Sequence, residues 1–196
     1  MAAKPKVVRV GLLGESPNDT EAIKVLLQRQ HTSRITCFPL LERLTGGTLD
    51  SAKVLRALPV ACARQRPDVV IVIRDLDALA SNQVQLRLRQ TYFDRVNREV
   101  GGRALYLLHI YEFEALLAAD IQSFNALYKS ACKIPGDPTQ LVDPKKVLQH
   151  ATRKSPRGAY HENHSAAVCA YLNYEQVVKN CRYFREFDAA FAQRLA

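Results

Sequence analysis

A chain of 196 residues with 47% hydrophobic content can build one domain with a decorated end and a sizeable core. Its formal net charge of +9 favours polyanionic partners, and no apolar run approaches the length that spans a bilayer. The five cysteines (Cys37, Cys62, Cys132, Cys169, Cys181) are odd in number and lack any CxxC spacing, which argues against a disulfide framework or a structural zinc site and for reduced core thiols.

The N-terminal MAAKPKVVRVGLLGE has two early lysines but only a short, alternating apolar run that ends in an acid. It reads as a strand and not as a signal sequence, so a soluble cytoplasmic protein with no membrane partner is expected. Residues 7–14, VVRVGLLG, form that first strand. SPNDT supplies turn and helix-start chemistry, with Asp19 or Thr20 able to cap, and EAIKVLLQRQ carries helical spacing. RITCFPL is a short second strand, TGGTLDS a loop, and Ser51 to about Arg64 a helix that Pro67 stops. VVIVI, 69–73, is a fully buried third strand. Asn82 to Val100 is a long amphipathic helix closed by Gly101 and Gly102. ALYLLHIY is a fourth buried strand, and EFEALLAAD opens the next helix.

This alternation predicts an α/β domain over residues 1–120, with a mostly parallel four-stranded sheet flanked by helices. Residues 121–196 are expected as a helical C-terminal extension packed on it. IQSFNALYKSACK is helical, KIPGDPTQLVDPKK is an ordered loop, and helices follow at about 144–153, 165–172 and 175–194. There is no internal repeat and no low-complexity segment.

In open α/β sheets, ligands bind outside the carboxyl ends of the strands. The first strand ends at Glu15, the third at Asp75 and Asp77, and the fourth runs into Glu112 and Glu114. Side chains at i and i+2 on a strand share a face, so Asp75 and Asp77 can aim at one point if the strand persists that far. Glu112 and Glu114 can do so only if the helix starts after them. Gathered carboxylates repel one another unless something positive sits among them. Arg74 can supply part of that charge. A hard divalent cation supplies more, and oxygen-only ligands point to Mg²⁺ or Mn²⁺ in place of zinc. His109, inside the fourth strand, reads as a packed core residue. The bland alternative is a pair of solvated loop acids, one of them capping the next helix.

Basic residues cluster as well. Lys145, Lys146, Arg153, Lys154 and Arg157 form a run without an acid, suited to a nucleic-acid backbone or to a solvated helix face. Arg87, Arg89, Arg95 and Arg98 form a second group with Asp94 as counter-charge.

At these residues the sequence resembles the Toprim domain, the metal-binding α/β module of topoisomerases, bacterial primases and the overcoming-lysogenization-defect (OLD) nucleases. That pattern has a glutamate after the first strand, here Glu15 in GLLGESPNDTEAI, and an Asp-x-Asp after the third, here Asp75 and Asp77 in VIVIRDLDAL. The nuclease branch often has a second acid four residues after the glutamate, where Asp19 stands. Small stand-alone Toprim-like bacterial proteins carry segments like YEFEALLAAD (Glu112, Glu114, Asp120), DPKKVL, RGAYHENHSAA and CRYFREFDAAF. The pattern departs at Leu116, where an aromatic often follows the acids, and near Tyr160, where His161, Glu162 and Asn163 replace an expected lysine.

The resemblance implies a metal-dependent nuclease cleaving DNA or RNA. Glu15 and Asp75 would hold a first Mg²⁺ or Mn²⁺ supported by Asp77, while Asp19, Glu112 or Glu114 would complete a second site. Lys154, His161 and His164 are candidates for the basic group that assists phosphate chemistry. It also implies an effector in anti-phage defence that works with a separate ABC-type (OLD-like) ATPase, since GGTLDSAK at 46–53 does not fit the GxxxxGK[ST] phosphate loop. A homo-oligomer is left open. Two rival readings stand beside this one. The first is a non-catalytic Toprim-like docking or binding subunit. The second is a phosphatase using Asp75 as nucleophile, disfavoured because the haloacid-dehalogenase motif follows the first strand and continues Gly-Thr.

Overall fold

The computed structural model describes residues 6–42, 44 and 46–196, without the side chains of 46 and 47. Met1–Pro5, part of the segment read above as lacking signal character, lie outside the described residues, as do Arg43 and Thr45. Strands β1 (Val8–Gly14), β2 (Ile35–Pro39), β3 (Val69–Asp75) and β4 (Ala104–His109) form one sheet in the order β2-β1-β3-β4, every pair parallel. The helices between them are α1 (Pro17–Gln30), α2 (Gly46–Leu49), α3 (Ala52–Gln65) and α4 (Gln83–Glu99). The C-terminal part is helical: α5 (Glu114–Ala118), α6 (Ile121–Tyr128), α7 (Pro144–Thr152), α8 (Ser165–Cys169), α9 (Tyr174–Asn180) and α10 (Arg182–Leu195). The expected α/β architecture with a helical C-terminal region is present, and the sheet is wholly parallel.

Strand alternation splits the core into two layers. Val10, Leu12, Val69, Ile71 and Ile73 pack in one layer, while Leu13, Val70 and Val72 pack in the other with Leu58 and Cys62 of α3 and Val96 of α4. The first layer also contains Leu148, Tyr160, Val168, Phe184, Phe187 and Phe191. Residues beyond 121 therefore complete the core of the sheet domain. No helix among the described residues is long and apolar enough to cross a membrane.

Several local expectations change. The cap of α1 is Ser16, whose side chain accepts from the Asn18 N–H, and Asp19 sits inside the first turn in place of capping it. Pro17 at the helix start explains the shift, because it has no N–H to satisfy and its fixed φ suits that position. Part of the loop expected at TGGTLDS is the short helix α2. The long terminal helix is broken at Cys181, whose extended backbone separates α9 from α10. Asn82, read as the first residue of its helix, is the cap of α4, and Arg66 ends α3 in the left-handed conformation just before Pro67.

Candidate functional site

Because β1 and β3 pair side by side up to Gly14 and Ile73, the residues that follow each strand meet at one rim. Glu15 turns across this rim, and its Oε1 accepts a hydrogen bond from the Asp75 N–H at 2.9 Å. Gly14 permits α1 to start close by, since a Cβ there would lie 2.6 Å from Thr20 Oγ1. That hydroxyl donates to the Ser16 carbonyl at 2.8 Å, which holds the first turn and its Asp19 beside Glu15.

The fourth carboxylate arrives from β4. Beyond His109 the chain passes through Tyr111 at φ +63°, so Glu112 lies outside the strand and Glu114 begins α5. Glu114 is 3% exposed, and its Oε1 accepts from the Tyr160 hydroxyl at 3.0 Å. That hydroxyl also shares a hydrogen bond with Ser165 Oγ at 2.9 Å.

Mutual repulsion ties four acids together. Burial first, then Asp19, Glu15, Glu114 and Asp77, hold the Asp75 carboxyl well above the usual carboxylate range. Burial, Glu114 and Glu15 push Asp19 up to about 7, against the pull of Lys145. Burial raises Glu114 too, opposed by Lys145 and by the Tyr160 hydrogen bond. Asp75 as a residue keeps some exposure, yet its Oδ1 is sealed from solvent and has no hydrogen-bond partner.

Positive charge enters from two sides. Arg74 Nε lies 3.5 Å from Glu15 Oε2, so the arginine does supply part of the compensation. Lys145, at the start of α7, places Nζ 3.2 Å from Glu162 Oε2 and 4.0 Å from Glu114 Oε1. Burial works against its charge, but Glu114, Glu162 and Glu112 outweigh it and raise its pKa. Sequence reasoning placed Lys145 in a basic surface run. Its one signal was the Pro144 beside it, which starts a helix and fixes where the lysine leaves the backbone.

Asp77 and Glu112 stand at the margin of the group, felt electrostatically by Asp75 and Glu114, and Lys154 and His161 are not drawn into it. β3 ends at Asp75, and Asp77 has φ +58°, so the i,i+2 alternation that would aim both acids at one point fails. The Asp77 side chain is 62% exposed and pairs with Arg89. Glu112 Oε2 accepts from the Lys145 N–H at 3.2 Å and so serves the start of α7. Lys154 is exposed in the turn after α7. The exposed His161 caps the 3-10 turn Glu162–His164, and its neighbour His164 bonds Tyr128 Oη through Nδ1 at 3.0 Å. His109 is buried, its ring edge-on to Phe113, and burial lowers it to about 3, in keeping with a packed neutral imidazole. In the basic run, Lys146 pairs with Asp143 at 2.8 Å, while Arg153, Lys154 and Arg157 are exposed.

Among the described residues no three His, Cys, Asp or Glu side chains close into a ready-made metal cage. The donor set nevertheless suits a hard cation. It is oxygen-only, its members repel one another, and Asp75 Oδ1 is a buried acceptor with no partner. No family model matches the chain, and searches of curated proteins and of solved structures found no match.

Proposed function

We propose that the chain is a divalent-cation-dependent nuclease hydrolysing phosphodiester bonds of DNA or RNA. The observation that carries this reading is the buried, partnerless Oδ1 of Asp75, crowded electrostatically by Glu15, Asp19 and Glu114. Mg²⁺ or Mn²⁺ would be held by these four acids, with Asp77 and Glu112 at the margin of the group. When bound, such an ion lowers the pKa of water and stabilises charge on phosphoryl oxygens.

The chain's own residues do the rest. The hydrogen bond from the Asp75 N–H fixes the Glu15 carboxylate. Tyr160 fixes Glu114. Lys145 keeps a cation beside the acids and takes the part first sought in Lys154 and His161. The exposed Arg153, Lys154 and Arg157 offer sequence-independent contacts to a phosphate backbone. The role as an anti-phage effector, with a separate ABC-type ATPase, rests on the Toprim-like pattern of Glu15, Asp75 and Asp77, and co-purification from the native operon tests it.

Cleavage of plasmid DNA and of RNA with Mg²⁺ or Mn²⁺ tests the activity. Asp75→Ala is expected to lose at least about a hundredfold in rate. Equal rates in the variant and the wild type remove the assignment.

One observation favours a second reading. Arg74 and Lys145 already offset part of the negative charge, as suits a non-catalytic docking subunit. Calorimetry finding no Mn²⁺ binding at millimolar concentration would select it.

A further inference from the structure

Beside the carboxylates two arginines that the sequence presented separately, Arg74 as a counter-charge and Arg89 in a basic group, come together. Arg74 points into the layer below α3 and α4 and is 5% exposed. Its guanidinium lies 5.5 Å from the centre of the Tyr92 ring, and its Nε and Nη1 donate no hydrogen bond. Arg89 of α4 comes alongside, anchored by its Nε to the Asp75 carbonyl at 2.9 Å and by its fork to Asp77. Between the two guanidiniums sits one oxygen, Asp50 Oδ2, 3.0 Å from Arg74 Nη2 and 4.0 Å from Arg89 Nη1.

The three side chains differ in exposure. Those of Arg74 and Arg89 are 5% and 13% exposed, whereas that of Asp50 is 49% exposed. Asp50 thus forms the solvent side of a buried cationic pair. It also directly precedes Ser51, the N-cap of the 14-residue α3, where the helix field favours an anion. Glu15 Oε2 stands 3.5 Å from Arg74 Nε, too far for a good hydrogen bond, and Asp77 and the Asp75 carbonyl occupy one side of Arg89. The donors that face each other therefore share the single Asp50 oxygen and Arg74 Nη1 stays idle, which is costly for a buried guanidinium. A phosphate has more oxygens, in a geometry that those forks match bidentately.

We propose that Arg74 and Arg89 are a phosphate-binding pair for which the Asp50 carboxylate stands in. The ligand is a phosphate group, either that of a phosphodiester or free phosphate, which displaces Asp50 and accepts from both arginines. The choice of phosphate over other anions rests on the nuclease reading; the pair itself does not.

Calorimetric titration with inorganic phosphate, in EDTA at low ionic strength, tests it on the full chain. Arg74 is left intact because its burial ties it to the fold. Asp50→Asn removes the internal competitor and is expected to bind phosphate about tenfold tighter than wild type, the size of one charge-assisted hydrogen bond. Asp50→Asn/Arg89→Gln is expected to lose that gain. A short single-stranded oligonucleotide in parallel titrations separates the sources. A gain for the oligonucleotide identifies a phosphodiester, and a gain confined to inorganic phosphate identifies the free ion. Asp50→Asn binding no tighter than wild type, or a gain that survives Arg89→Gln, overturns the pair. Because no divalent cation is present, that result is separate from any failure of metal-dependent cleavage.

Discussion

Glu15 and Asp75, sixty residues apart in the chain, are joined by a hydrogen bond from the Asp75 N–H to Glu15 Oε1 at 2.9 Å. The bond ties the end of β1 to the end of β3 and leaves the Asp75 carboxylate facing its fellow acids without a donor of its own. Charge repulsion therefore works against the folding of this rim.

Replacing Asp75 by Asn keeps the shape and removes a carboxyl that burial and its acidic neighbours make costly to ionise. In metal-free buffer Asp75→Asn is expected to stabilise the fold by about 1–2 kcal/mol, the range for relieving a buried unpaired polar group. Wild type should gain stability with added Mn²⁺ and the variant should not, because only a native state that binds the ion is stabilised by it. Urea unfolding with and without Mn²⁺ measures both effects.

Asp19 gives the metal-free protein a distinctive pH profile. Its carboxyl rises from the ordinary 3.8 to about 7 on folding, so between these values the native state holds a proton that the unfolded state has released. Its contribution to stability is complete below pH 3.8, declines as pH rises, and is gone above about 7. Asp19→Asn should flatten this decline. Urea melts at half-unit pH steps show whether the slope belongs to Asp19.

Lys145→Met takes the cation away from Glu114, Glu162 and Asp19. Its side chain is 34% exposed, so solvent screening should hold the loss of stability to about 1 kcal/mol at neutral pH. Without its pull the Asp19 carboxyl should titrate higher than in wild type. Carboxyl-resolved NMR titration reads the second effect, and an unchanged Asp19 would place Lys145 outside the group.

Phe191 is fully buried in the layer that also contains Val10 and Ile71. Phe191→Ala should cost about 3–5 kcal/mol, the usual range for deleting a core phenylalanine. Unfolding should stay a single transition by circular dichroism and tyrosine fluorescence, since the last helix and the sheet share one core. Two separated transitions would show that residues 121–196 fold as a unit of their own.

Much of this architecture is written in local pattern. The continuous apolar run at 69–73 announced a strand buried on both faces, and the helical spacing announced parallel crossovers. The run at 104–108, also read as a buried strand, is instead the edge strand β4, with Leu105, Tyr106 and Leu108 half-buried. Given a parallel sheet, Glu15 and Asp75 had to share a rim. Asp77 escaped the same logic because β3 ends two residues before it and its own backbone is left-handed, and no residue type announces that turn.

The sequence by itself determined the alternation of elements, the burial of the central strand β3 and the identity of the acids at the strand ends, because periodicity and chain direction are local properties. Only the tertiary structure decided which charges answer those acids. Lys145 reaches them from a helix that begins about 130 residues after Glu15, and Asp50 meets Arg74 and Arg89 across two helices. Coulomb energy depends on distance in space and on the water removed between charges, and neither quantity is encoded in spacing along a chain.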